Sequence, residues 1–477
     1  MNKTKGMMKM NIDNLINDKA LNERLAGVRN QIRQPEHAIS DVVDGEGNQY
    51  IDLVMEGGGM LGLALVGYSW ALEQMGIRFF GIGGTSAGSI NALLLAALDE
   101  PSRPKSPRLL DVLANQNFYD FVDGGDDARD LIELALGGNK SFKKLRLFWK
   151  ALKVKKQLCT SYGLNKGDAF FNWLKNLLEQ AGIKTLDDLQ QRLRVVPDGL
   201  MRRDGIAFTD ADCPRGRLVI VAADVTTETR VEFPAMASLY WENPGKESPA
   251  KFARASMSIP FFFQPMRISN IPQPRNPSDA QDPVNRNWKE LAGYSSDTDK
   301  SAIVPKNALF VDGGIMSNFP IDAFHSHGKV PKMPTFGVKL EYDQRYKAPD
   351  KLPMFSNNKI AGLLPLGGAI FNSSRHTLDY EFVKKNPDYK HLVQYIPCTY
   401  KDGKGVVRSY NWLDFNMPDQ HKEGLFRQGA MKAIEFVEQF SGPVPGYNSK
   451  WEFYKALRGM QKDIPAQPQA AATTSST

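Results

Sequence analysis

Residues 49–88, QYIDLVMEGGGMLGLALVGYSWALEQMGIRFFGIGGTSAG, constrain this chain more than any other stretch. A short apolar run leads into a glycine-rich loop. An apolar run of helical length then ends at Gly76, where a C-cap glycine belongs, and a second strand-like run, IRFFGIGG, follows. That order is a βαβ unit, which requires a parallel sheet with helices over its faces. The next run, SAGSINALLLAALDE, reads as a helix that is apolar nearly all round and therefore buried. RLVIVAA at 217–223, NALFVDGG at 307–314 and PTFGVKLEY at 334–342 read as further short strands. The expected fold class is α/β: a mostly parallel central sheet flanked by helices, with a helical insertion and irregular surface loops.

Polar residues 1–47 form an N-terminal segment, set off by the turn-like DGEGN before the first strand. The core is expected over 48–345. It includes a helical insertion at 100–165 and a Pro-, Asn-, Ser- and Asp-rich excursion at 264–306. Residues 346–460 are expected to pack on the core as a C-terminal part, and the low-complexity tail 461–477 to be disordered. A chain of 477 residues, 42% hydrophobic and 24% charged, is long and apolar enough for a sizeable core. Cys159, Cys213 and Cys398 stand far apart, so neither a disulfide framework nor a zinc site is expected. The N-terminus lacks the apolar segment of a secretory signal, and no apolar stretch reaches the roughly 20 residues that span a bilayer. A cytoplasmic protein is expected, peripheral at a membrane if it meets one.

Gly57, Gly59 and Gly62 fit G-x-G-x-x-G, a spacing that suits dinucleotide binding. A dinucleotide fold also needs an acidic residue about 20 positions on, at the tip of the second strand, to hold the ribose hydroxyls. Here that tip reads GIGGTSAG and carries no acid. The same residues satisfy another pattern. Gly84-Thr85-Ser86-Ala87-Gly88 is G-x-S-x-G between a strand and a helix, the setting of a nucleophile elbow, with small residues two before and two after the serine. A serine attacking a carbonyl needs donors for the oxyanion, and the amides of Gly57, Gly58 and Gly59 leave the sheet at the same carboxyl edge.

The serine also needs a base. Nothing local marks any of the six histidines, His37, His325, His327, His376, His391 and His421, as its partner. A carboxylate can serve if burial raises its pKa. Two Asp-Gly-Gly stretches compete, at Asp123 and Asp312. Asp123 precedes DDARDLIELAL, and its simplest reading is a helix cap. Asp312 ends the apolar strand ALFV; local sequence leaves a turn aspartate and a catalytic base equally open.

Together, EGGGMLG, GTSAG and DGGIMSNFP, in that order, resemble the patatin-like phospholipases. YGLNKGDAFFNWL, AADVTTETRVEF, ARASMSIPFFFQP, Asn318 and Pro320 extend the resemblance over roughly 50–340. It implies a three-layer patatin-like fold. It implies a Ser86 nucleophile with Asp312 as proton acceptor in a dyad without histidine, and an oxyanion hole at Gly57, Gly58, Gly59 and Gly62. Gly84 and Gly88 would shape the elbow, and Gly313 and Gly314 complete the D-G-G motif. The implied activity is a lipid acyl hydrolase of phospholipase A type, acting on phospholipid or other acyl-ester lipids without metal or organic cofactor. Leu61 departs from the family, many members of which carry a basic residue there.

Residues 140–156, KSFKKLRLFWKALKVKK, hold eight basic residues and no acid, with an apolar stripe through Phe142, Leu145, Trp149 and Leu152. The segment suits an anionic lipid surface, or a solvated basic face packed on the core. No nucleic-acid motif accompanies the net charge of +7, so no nucleic-acid partner is expected. The rival readings are a soluble esterase or thioesterase with a Ser-His-Asp triad and a lipid-binding relative without turnover.

Overall fold

The computed structural model describes residues 16–124, 160–206, 209, 217–293, 304–325, 329–340, 382 and 384–461. The helical patterns at 126–136 and 141–158, the basic segment 140–156 and nearly all of the tail lie outside the described residues. The chain begins with α1 (Lys19–Ile32), β1 (Val42–Val43), β2 (Gln49–Met55), α2 (Gly62–Gln74), β3 (Ile77–Thr85), α3 (Ala87–Ala97) and α4 (Ser106–Asn115). After the insertion come β4 (Gly163–Asn165), α5 (Asp168–Gln180), α6 (Leu186–Leu193), β5 (Met201–Arg202), β6 (Arg217–Asp224) and β7 (Thr229–Phe233). Then follow α7 (Ala250–Ser256), β8 (Phe261–Phe263), β9 (Met266–Ser269), α8 (Pro283–Ala292), β10 (Asn307–Asp312) and β11 (Thr335–Leu340). The last elements are β12 (Val393–Ile396), the hairpin β13 (Thr399–Lys401) and β14 (Val407–Ser409), α9 (Asp419–Ser441) and α10 (Lys450–Gln461).

The main sheet runs β12-β11-β2-β3-β6-β10-β9. Its steps from β12 to β6 are parallel, and β10 and β9 join antiparallel. Every residue of β2 and β3 is buried, as expected of strands with helices over both faces. The α/β class with a mostly parallel sheet is therefore the fold observed. Within 264–306, Met266–Ser269 finds a partner in β10 and becomes the sheet's edge strand. Its partner lies about 40 residues on, so local composition carries no sign of the pairing.

α2 is apolar all round because it is covered all round. Residues Gly62–Glu73 are all buried, and α9 crosses the helix through a pair of glycines. A Cβ on Gly67 would run into the backbone of Phe426, and one on Gly429 into the backbone of Ala64. The two backbones thus approach more closely than any side chain permits. α1 buries Leu21, Leu25, Val28 and Ile32 in the same core, and Asp18 caps it by accepting the Leu21 N–H at 3.1 Å.

Candidate active site

One strand without a candidate site residue, β6, organises the site. Its Ile220–Asp224 edge is taken by β7, so its other partners share the opposite edge. There Thr85 of β3 lies opposite Val221, and Asp312 of β10 lies opposite Ala222. A parallel and an antiparallel strand therefore meet end to end, their last residues one register step apart, ~3.3 Å along β6. Ser86 follows the first of these residues, and Asp312 is the second. Gly313 completes the junction: a Cβ there would meet the backbone of Val221 and come within 3.0 Å of the Thr85 methyl. Gly314 donates its N–H to Asp312 Oδ1 at 2.8 Å, which orients the carboxylate.

Ser86 turns the chain from β3 into α3 at φ 50° and ψ −119°, a conformation that costs a non-glycine residue ~1–3 kcal/mol. Gly84 and Gly88 allow the turn, because a Cβ on Gly84 would come 2.5 Å from the Gly88 carbonyl group and one on Gly88 would strike the Met55 carbonyl. The Ser86 amide donates to Ser256 Oγ at 2.9 Å, and that hydroxyl donates to Val221 O at 2.6 Å. Two residues on, Ser258 O accepts the Asp312 N–H at 2.8 Å. Ser86 and Asp312 are both buried, at 5% and 2% exposure.

The glycine loop lies over this junction. Gly57 exchanges two bonds with Asn318: its N–H donates to Asn318 O at 3.0 Å, and Asn318 Nδ2 donates to Gly57 O at 3.1 Å. Gly62 turns its N–H back to the carbonyls of Gly59 and Met60. Gly58 and Gly59 are different, since their amides make no hydrogen bond to a described residue. Gly59 has φ 53°, and a Cβ on it would collide with Trp412, whose carbonyl also accepts the Met60 N–H at 2.9 Å. The amide of Ala87, the first residue of α3, likewise donates to no described residue.

Ser86 lines a cavity of about 640 Å³, counted to its open mouth. The walls are almost wholly apolar, and Leu63, Val66, Ile90, Phe170, Phe263 and Phe415 are among the residues that line the cavity with Ser86. Of the three successive phenylalanines, Phe263 lines the cavity, Phe262 stacks on Phe415, and Phe261 points outward with 41% exposure. A group entering here meets the Ser86 hydroxyl, amides that donate to no described residue, and apolar walls.

A model of the patatin-like phospholipase family matches residues 53–325, more than half of the chain. The chain belongs to the patatin-like phospholipase family. With this membership goes the class of lipid acyl hydrolases. An uncharacterized protein of Bacillus subtilis, YqhO, is 26% identical over 393 residues, 82% of this chain and 99% of its own. Among solved structures, VipD from Legionella pneumophila aligns at 12% identity and a TM-score of 0.35, covering 84% of this chain and 70% of its own. The ExoU–SpcU complex from the type III secretion system of Pseudomonas aeruginosa aligns at 15% identity and a TM-score of 0.32. That alignment covers 82% of this chain and 52% of the other.

In this patatin-like protein, Leu61, the position that departs from the expected motif, is fully buried. Asp123, the other Asp-Gly-Gly aspartate, caps the start of α5, while the helix pattern that follows it lies outside the described residues. Its carboxylate accepts the N–H groups of Gly167 at 3.0 Å and Ala169 at 3.1 Å. A cap 44 residues away in sequence leaves no local signature. Beside it, burial pulls the Arg254 guanidinium down to about 10 against the opposing charges of Asp123 and Asp168. None of the described histidines lines the cavity. His37 and His325 bond to Ser441 O and the Tyr389 hydroxyl, while His391 and His421 pack on aromatic rings. His327 and His376 lie outside the described residues. Among the described residues, no group of His, Cys, Asp and Glu has the geometry to hold a metal. No described helix is long and apolar enough to cross a membrane. Sequence reasoning passed over Ser256, Ser258, Trp412 and Phe415; the two serines sit inside ARASMSIPFFFQP, and the other two carried no signal.

Proposed function

We propose that the protein hydrolyses carboxylic esters of glycerolipids, as a phospholipase A, through a Ser86–Asp312 dyad. The observation that carries this reading is the end-to-end meeting of β3 and β10 on one edge of β6, with Ser86 lining an apolar cavity. The Asp312 carboxylate takes the hydroxyl proton as Ser86 Oγ attacks the ester carbonyl. Amides of Gly58, Gly59 and Ala87 receive the oxyanion, each such donor being worth ~3–4 kcal/mol in the transition state. Collapse of the tetrahedral intermediate expels the alcohol, which takes the proton from Asp312. Water then attacks the acyl-enzyme, Asp312 accepting its proton and returning it to Ser86.

The walls of the cavity suit an acyl chain, since each buried CH₂ contributes about 0.8 kcal/mol. Contact with a lipid surface falls to Tyr162 and Phe261 in this reading. They adjoin through the β4–β8 pairing and are 51% and 41% exposed, and the exposed Lys166 follows the other end of β4. The test is fatty-acid release from phospholipid vesicles, with labelling by a fluorophosphonate probe. Ser86→Ala and Asp312→Asn are expected to lower release by at least ~10³-fold while remaining folded, and Ser86→Ala to lose labelling. Normal release by either variant overturns the assignment.

A further inference from the structure

The segment Arg254–Ser258 contributes nothing to the chemistry just described, yet it holds both reacting residues. In a parallel ladder the residue after a paired position donates its N–H to the facing strand, so Ser86 N–H would ordinarily go to Val221 O. Ser256 Oγ stands between them. It accepts from Ser86 N at 2.9 Å and donates to Val221 O at 2.6 Å, which uses its single proton and fixes its direction. The hydroxyl is spliced into the last rung, separating the end of β3 from β6. That separation coincides with the point where Ser86 takes φ 50° and β10 enters along the same edge.

The other end of the segment is tied as firmly. Ser258 O accepts the Asp312 N–H at 2.8 Å, and Ser258 Oγ donates to Arg254 O at 2.7 Å. The Arg254 guanidinium donates to Ser258 Oγ at 2.5 Å, to Lys166 O at 2.5 Å and to Gln264 O at 2.9 Å. Ser256 and Ser258 are wholly buried, and Arg254 nearly so. One short, fully bonded segment thus carries the backbone of the nucleophile at one end and that of the base at the other.

Resting on the dyad reading, we propose that Ser256 is a positioning residue, holding the nucleophile in its strained turn by occupying the rung that would otherwise straighten it. Ser258, braced by Arg254, does the same for the base. Without the Ser256 hydroxyl, Ser86 N–H is free to close directly on Val221 O, and the elbow relaxes toward ordinary strand geometry.

The experiment measures hydrolysis of a soluble ester, p-nitrophenyl butyrate, by the full chain, with sites counted by fluorophosphonate labelling. Ser256→Ala is expected to lower kcat per labelled site about 10²-fold, with KM within about twofold and the labelling rate falling in parallel. Ser256→Thr, which keeps the hydroxyl, is expected to restore most of kcat. Native kcat per labelled site in Ser256→Ala overturns the proposal, including when the labelled fraction is small, because that pattern marks a fold-only role. Should alanine leave too little folded protein, Ser256→Cys decides, since it keeps the volume and weakens both hydrogen bonds; it is expected to fall like alanine, and native turnover overturns the proposal. Ser86→Ala runs alongside: if it still hydrolyses the ester, the dyad reading falls together with this inference, whereas a silent Ser86→Ala beside a fully active Ser256→Ala removes the inference alone.

Discussion

Gly57, Gly58 and Gly59 look alike in sequence and differ in what their amides are free to do. Gly57 is committed to Asn318, while Gly58 and Gly59 are not. Gly59→Ala places a methyl group against Trp412 at φ 53°. It is expected to cost ~1–3 kcal/mol in urea unfolding and to lower kcat about 10²-fold on a soluble ester. Lys105 is the other residue with a sharp expectation. It is fully buried, and desolvation brings its amine down to about 8 although Glu73 opposes the shift. Below pH 8 native and unfolded chains both hold the proton, and the buried charge is a constant cost. Between pH 8 and the ordinary lysine range the native state releases a proton that the unfolded chain keeps, so stability rises with pH. Unfolding free energies of wild type minus Lys105→Met should therefore increase by roughly 2–3 kcal/mol from pH 8 to 10.5; a flat difference contradicts the burial argument. At this scale the Ser86 and Asp312 patterns were visible because each is a local motif. The role of the Ser256 hydroxyl and the capping of α5 by Asp123 were not, because their partners lie 170 and 44 or more residues away.

Among the elements, α2 was readable as a helix, and α3 as a buried one from its nearly unbroken apolar surface. What covers α2 was not: Gly67 and Gly429 interlock only once α9 is laid across it. A Gly429→Ala methyl must push α9 away from Ala64, and a loss of about 2–3 kcal/mol is expected by urea unfolding. β9 escaped notice for the same reason, having short length and a remote partner. The exposed pair at the β4–β8 junction gives a separate expectation. A Tyr162→Ser/Phe261→Ser double variant should lose binding to anionic vesicles in a flotation assay and keep its turnover of a soluble ester. Undiminished flotation removes that surface from the lipid reading.

For the whole molecule, the family match ends at residue 325, whereas the sheet continues through β11 and β12 and α9 closes over α2. Trp412 and Phe415, which clamp the glycine loop and wall the cavity, also lie beyond it. A fragment ending at 325 is expected to lack a cooperative thermal transition by circular dichroism; a native-like transition would show that the later segments are accessory. β6 has a consequence for how such a chain can change over time. It works as a ruler, and two chain segments are measured against its adjacent notches, Val221 and Ala222. Lengthening the excursions at 100–165 or 264–306 leaves those notches untouched, whereas deleting one residue inside β6, β3 or β10 would offset serine from aspartate by a whole pleat. Variation in length should therefore accumulate in the connections and be absent from these three strands.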